Sequence, residues 1–318
     1  MTAADHGLNF MVSNVYKLKR PTAPAANNAS TARGSTSATM TRTLVYNIPI
    51  ELFESYRGKR VIVRASDPRV ITENLNEEDT KNLQYVQILT LSADITPLST
   101  WQTGVPIDLV MYEPQAEFGR LYNHAKLLDR HPMRVSIPVR PGFANAVKLA
   151  SSLQFAVKLI VGQPTRDDLK EMFAALHMFL HGPTVTQPLE FYHGVLRSFF
   201  SSEQTTVWES QEEDPASFRY ITRDGREIVS PRFIDIEPPH GYALDTLVDG
   251  FAKKLVVEKR ECAKCEFLDQ CKGYFKWPNK DYICAGGVRG LFHELKKAAA
   301  ELDVDLETYS ESRARTAS

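Results

Sequence analysis

Residues 133–162 read MRVSIPVRPGFANAVKLASSLQFAVKLIVG, and the fold turns on how their apolar positions are spaced. The runs 133–139 (MRVSIPV) and 155–162 (FAVKLIVG) are short, apolar and of strand length, whereas 143–153 between them has the spacing of an amphipathic helix. Strand, helix and strand in succession form the unit that feeds a parallel sheet. Outward towards the N-terminus the same alternation continues, with strand-like runs at 60–65 (RVIVRA), 85–91 (YVQILTL) and 106–112 (PIDLVMY) and a helical segment at 115–130. Towards the C-terminus a helix is expected over 165–181. Thr165-Arg166-Asp167-Asp168 suits its start, because a capping hydroxyl is followed by acids that complement the helix dipole. The expected fold class is α/β, a degenerate or partial (β/α) barrel over residues 43–214, with an open doubly wound sheet as the competing arrangement.

Past this region the pattern changes. FRYIT, the turn Arg223-Asp224-Gly225-Arg226 and EIVSPRFIDI predict a hairpin over about 215–236, since Asp-Gly between strand formers favours a tight reversal. Pro238-Pro239 closes it, and helices are expected at 241–257 and 287–302 around a cysteine-bearing segment. Residues 215–318 are therefore expected to form a second, small domain. Residues 1–42, rich in Ala, Ser, Thr and Asn with Asp5 as their one acid, read as a disordered tail, and Met11 or Met40 is a candidate start.

The net charge of −1 gives no global attraction to nucleic acid, and no run approaches the 18 apolar residues of a spanning helix. Without the apolar core of a secretory signal, the expected location is the cytoplasm, where clustered thiols serve as metal ligands rather than disulfides. There is no Walker loop, no dinucleotide glycine fingerprint and no G-x-S-x-G elbow.

All four cysteines fall in CAKCEFLDQCKGYFKWPNKDYIC, as Cys262, Cys265, Cys271 and Cys284, spaced C-x2-C-x5-C-x12-C. A C-x2-C pair presents two thiolates from one turn, a third follows from the next loop, and the fourth returns to close the site. Metal binding is expected, and spacing leaves both structural zinc and a 4Fe-4S cluster open. Phe267, Tyr274, Phe275, Trp277 and Tyr282 are interleaved with the ligands and suit a larger, water-excluding group. Lys259, Arg260, Lys264, Lys272, Lys276 and Lys280 would complement an anionic cluster, or form a solvated basic face.

From Asp224-Gly225 to CAKCEFLDQCKGYFKWP the chain resembles the SPASM domain, the C-terminal extension of radical SAM enzymes that mature peptides, sulfatases and peptide-derived cofactors. The resemblance covers about 215–295 and implies that Cys262, Cys265, Cys271 and Cys284 ligate one auxiliary 4Fe-4S cluster. It also has gaps. Full SPASM domains carry seven cysteines and two clusters, whereas Ser230 and Phe275 stand here where two further cysteines would be, which implies that the second cluster is missing. Radical SAM enzymes hold their catalytic cluster through C-x3-C-x2-C, and residues 1–261 contain no cysteine. The resemblance therefore implies an accessory protein whose partners are a separate radical SAM maturase and a peptide or protein substrate. It would act by docking, presenting substrate or relaying an electron. A zinc-stapled binding module, and an independent enzyme working at the strand ends, are the alternatives.

Two other sets of residues are candidates for chemistry. His177 and His181 stand four apart on the expected helix, so they share a face and could chelate a metal, with Glu190 and His193 joining them if the next helix crosses nearby. HMFLH lacks the glutamate of metalloprotease helices, and for His181 near the helix end, before Gly182-Pro183, dipole and capping roles are commoner. Glu113, Arg140 and Gln163 lie just past predicted strands, at the face where barrel active sites are built, and are candidates for a small-molecule or peptide pocket or plain loop residues.

Overall fold

The computed structural model describes residues 44–183, 185–200, 205–233 and 243–316. The expected tail at 1–42, Pro238-Pro239 and the start of the helix expected from 241 lie outside the described residues. One sheet runs through the molecule. Its strands are β1 (Val45–Pro49), β2 (Val61–Ala65), β3 (Leu83–Ile88), β4 (Ile107–Val110), β5 (Met133–Pro138), β6 (Ala156–Ile160), β7 (Leu189–Glu190), β8 (Phe218–Ile221) and β9 (Glu227–Ile228). Their order is β7-β6-β5-β4-β3-β2-β1-β8-β9. Every neighbouring pair is parallel except β8 and β9, which form the hairpin read from Asp224-Gly225. Gly225 takes the left-handed backbone, φ +80°, that this reversal needs. The chain is thus α/β, and its described residues form a nine-stranded, mostly parallel sheet. From β1 to β7 the strands are laid down in chain order without a reversal, which is not the winding of a two-halved nucleotide-binding sheet.

The main helices are α1 (Pro68–Asn74), α2 (Phe143–Ser152), α3 (Arg166–His181), α4 (Tyr192–Ser198), α5 (Leu247–Val257) and α6 (Val288–Thr316). Helix α3 starts as the sequence predicts: Asp168 N–H donates to Thr165 Oγ1 at 3.2 Å and Thr165 N–H donates to Asp168 Oδ2 at 2.9 Å, a reciprocal cap. The single helix expected over 115–130 is instead a succession of short α and 3-10 turns from Pro114 to Asp129, broken where Gly119 weakens the helical bias. Two strands went unread: β1, whose sequence VYNIP carries a polar residue and a proline, and β7, which is two residues long.

The two faces of the sheet are chemically opposite. Ile48, Val63, Ile88, Leu109, Val135, Val157 and Leu189 point one way and join Ile71 of α1, Val147 of α2 and Leu176 of α3 in one apolar core. Burying each such side chain contributes about 1.5–3 kcal/mol. The alternate residues point the other way, and parallel register aligns them in rows: Arg64, Gln87, Asp108 and Arg134 across β2 to β5, then Ser136, Lys158 and Glu190 across β5 to β7. Fully buried parallel strands are normally apolar on both faces. Here the second face is lined with charge.

Candidate metal centre

The four cysteines stand between α5 and α6. Cys262 sits in the 3-10 turn Glu261–Lys264 and Cys265 ends it, with Cys265 N–H donating to Cys262 O at 3.1 Å, so one tight turn presents both thiols. Cys271 ends the short helix Leu268–Cys271. Lys272 and Gly273 then take left-handed backbone, φ +48° and +75°, and turn the chain back; a Cβ on Gly273 would lie 2.4 Å from Leu255 Cδ1. Cys284 precedes α6, where its carbonyl accepts from Gly287 and Arg289 N–H at 3.2 and 3.0 Å. All four are free thiols, and all four line one small cavity whose apolar wall includes Phe267, Phe275 and Phe292. Among the described residues no three His, Cys, Asp or Glu side chains are grouped as they would be around a bound ion. Burial pushes Cys271 and Cys284 each up to about 12, and it also raises Cys262. As free thiols they keep their protons, so a metal taking them as thiolates would release those protons.

One carboxylate organises the rim of this cavity. Glu261 accepts from Lys276 Nζ at 2.8 Å, Cys284 N–H at 3.0 Å and Arg289 Nη2 at 3.0 Å. Burial acts to raise its pKa, but these three donors outweigh it and hold Glu261 below the usual glutamate value. Of the six basic residues expected to surround the site, Lys276 lines the cavity; Lys272, Lys280 and Arg260 pair with Asp249, Glu258 and Asp281 respectively. Arg289 and Glu261 also line the cavity, and neither was apparent from cysteine spacing. The signal for both is their position: Glu261 adjoins the first cysteine, and Arg289 lies in the first turn of the following helix.

The segment is bolted to the loop after β6. Tyr274 Oη donates to Val161 O at 2.7 Å, Tyr282 Oη to Pro164 O at 2.8 Å, and Gln163 Nε2 to Phe275 O at 2.9 Å and Asn279 O at 2.7 Å. Trp208 Nε1 donates to Lys272 O at 3.2 Å and Arg232 Nη2 to Trp277 O at 2.7 Å. Gln163 is thus a clamp on the cysteine segment. Of the other two residues expected at the strand ends, Arg140 donates to Glu113 Oε1 at 2.9 Å in an exposed ion pair. The three do not gather around one cleft.

His177 and His181 lie on the exposed side of α3 with ring centroids 4.7 Å apart. Glu190 belongs to β7 rather than to a helix and accepts from His193 Nδ1 at 3.2 Å on the polar face of the sheet. The structure does not bring the two pairs together.

The polar face carries an ion network that the sequence reading missed. Asp108, 1% exposed, accepts from Ser136 Oγ at 2.9 Å, Gln87 Nε2 at 3.0 Å and Arg134 Nη2 at 3.0 Å. Arg134 Nη1 reaches Glu212 Oε1 at 3.0 Å, and Lys158 Nζ and Tyr85 Oη both donate to Glu212 Oε2 at 2.6 Å. Glu212 arrives from outside the sheet, on a turn that follows the helix Val207–Ser210, with φ +60°. Comparison with models of known protein families gives no match, and no curated protein matches the sequence. The likeness to the SPASM domain rests on the residues quoted for it above.

Proposed function

We propose that this chain is a SPASM-like accessory protein that holds one 4Fe-4S cluster on Cys262, Cys265, Cys271 and Cys284. It would assist a separate radical SAM enzyme in maturing a peptide or protein. The observation that carries the reading is that four thiols with this spacing, drawn from 23 residues of chain, line a single cavity. The donor set fits such a group: four thiols, walls of Phe267, Phe275 and Phe292, and Lys276 and Arg289 beside an anionic centre. With protein thiolates on all four irons no coordination position would stay open, which favours electron relay or a structural role over substrate activation at the cluster. The strand succession from β1 to β7 supports the reading of residues 43–214 as a degenerate or partial (β/α) barrel.

The test is anaerobic purification with iron, sulfide and zinc analysis, followed by capture of a maturase with the loaded protein. About four irons and four sulfides per chain are expected, lost in Cys265→Ala, together with a specific complex with the maturase. One zinc without sulfide would replace the cluster with a structural zinc site. A protein that holds no metal and captures no partner would overturn the proposal.

A further inference from the structure

The polar face of the sheet contains a cleft of about 290 Å³, lined by Asn47, Ser136, Lys158, Gln211, Tyr220 and Arg232 among others. It lies on the opposite side of the sheet from the apolar core and is distinct from the cysteine cavity. None of Glu113, Arg140 or Gln163 lines it.

Its donors are left short of acceptors. Gln211 is 5% exposed, and its Oε1 accepts from Val161 N–H at 3.1 Å. That bond fixes which way the carboxamide faces, so the buried atom without a partner, Nε2, is a donor. An unmade buried hydrogen bond is costly, and this donor, closed off from solvent next to the cleft, gains a partner when a small shift of the carboxamide lets a ligand's acceptor reach it. Lys158 Nζ gives two of its hydrogens to Gln211 O at 3.2 Å and Glu212 Oε2 at 2.6 Å, leaving the third. Asn47 Oδ1 accepts from Arg64 Nη1 at 2.7 Å, which leaves its Nδ2 as a further donor.

Glu212 and Glu213 also line the cleft, each already paired with a cation, so the charge left over is positive. Arg64, 5% exposed, donates to Asn47 O, Asn47 Oδ1 and Ile221 O, all neutral, and lies 3.9 Å from the centroid of the Tyr220 ring. No carboxylate among the described residues forms an ion pair with it, whereas the other cations here are matched: Arg134 and Lys158 by Asp108 and Glu212, Arg232 by Glu213, and Arg219 by Glu227. Asn47 and Tyr220, both in contact with Arg64, line the cleft.

We infer that this cleft binds a carboxylate, either of a small organic acid or of an acidic peptide side chain, with Gln211 Nε2, Lys158 Nζ and Asn47 Nδ2 as donors and Arg64 supplying the balancing charge. The inference stands whether or not the cysteines hold a cluster.

The experiment is calorimetric titration of the full chain with glutarate and with glutaramide, and with a capped Gly-Glu-Gly peptide and its Gly-Gln-Gly counterpart. At least one acid is expected to bind about tenfold or more tightly than its amide, as loss of a charge-assisted hydrogen bond requires. Which acid binds separates a free ligand from a peptide. Affinity should fall by a similar factor in Gln211→Leu. Val110 lines the cleft and its side chain makes no hydrogen bond, so Val110→Phe fills the wall; it should abolish binding while the melting curve shows the fold retained. Equal binding of acid and amide, binding by neither acid, or unchanged acid binding in a folded Val110→Phe protein would overturn the assignment.

Discussion

Replacing Glu212 by glutamine tests the ion network that crosses the polar face. In the native chain Glu212 receives Arg134, Lys158 and Tyr85, and Asp108 forms a second ion pair with Arg134. Glutamine keeps the shape and, with φ unchanged at +60°, keeps whatever that backbone costs, so the strain cancels and the charge term is isolated. Removing one partner of a buried ion pair costs about 3–5 kcal/mol. The Glu212 side chain is 19% exposed and an amide oxygen still accepts one of the three donors, so a cost below that range, about 2–3 kcal/mol, is expected. Urea unfolding reads this directly: with a slope near 3 kcal/mol per molar, the midpoint at pH 7 falls by about 1 M. Lys158→Met should be less damaging when combined with Glu212→Gln than alone, because the charge it removes no longer has its partner. The pH dependence has a fixed sign. Burial acts to raise the Glu212 pKa, but Arg134 and Lys158 outweigh it and hold the folded value well below that of an unfolded glutamate. Its contribution is therefore present above about pH 4.5 and lost as pH falls through the folded value. The gap between native and Glu212→Gln proteins should narrow on acidification. A gap that stays constant from neutral pH to about pH 3, or a midpoint that moves by less than about 0.2 M, would refute this account of the network.

Other substitutions separate the roles of neighbouring residues. Cys271→Ala should abolish metal retention measured by elemental analysis, while His177→Ala with His181→Ala leaves it unchanged, since those imidazoles are exposed on α3 and do not line the thiol cavity. Gly273→Ala combines a φ of +75° with a 2.4 Å approach to Leu255 Cδ1 and should cost about 1–3 kcal/mol, visible as a lowered melting temperature. Gln163→Ala frees Phe275 O and Asn279 O from the loop after β6, and should lower stability by about 1–3 kcal/mol and reduce metal retention, with faster amide exchange at 275–282.

How much was legible from sequence depends on how local the deciding interaction is. Strands β2 to β6 were readable because each is a short apolar run between turn signals, and α3 because Thr165 and Asp168 cap it within four residues. β1 was not, because Asn47 faces the polar side and interrupts the run. β7 was not, because a two-residue ladder between Leu189, Glu190 and β6 leaves no periodicity to detect. The convergence of four cysteines on one cavity was implied by spacing alone. The platform beneath them was not, since Tyr274 with Val161 and Tyr282 with Pro164 are hydrogen-bonded across more than a hundred residues.

The charged face did leave a trace in the sequence, in the wrong place for a motif search. VIVRA, YVQILTL, IDLV, MRVSIP and AVKLI each carry polar residues inside an otherwise apolar strand, and at period two these fall on one side of the sheet. A single such residue reads as noise. Five strands in parallel register make a row of them, and a row of partly buried charges requires counter-charges from elsewhere in the chain. Those come from residues 211–214, beyond β7, where Glu212 answers Lys158 and Arg134 and Glu213 answers Arg232. Arg232 also holds Trp277 O of the cysteine segment. The same short turn therefore neutralises the face and, through one guanidinium, joins it to the cysteine-bearing region, so the cleft and the thiol cavity share structural support while presenting separate chemistries.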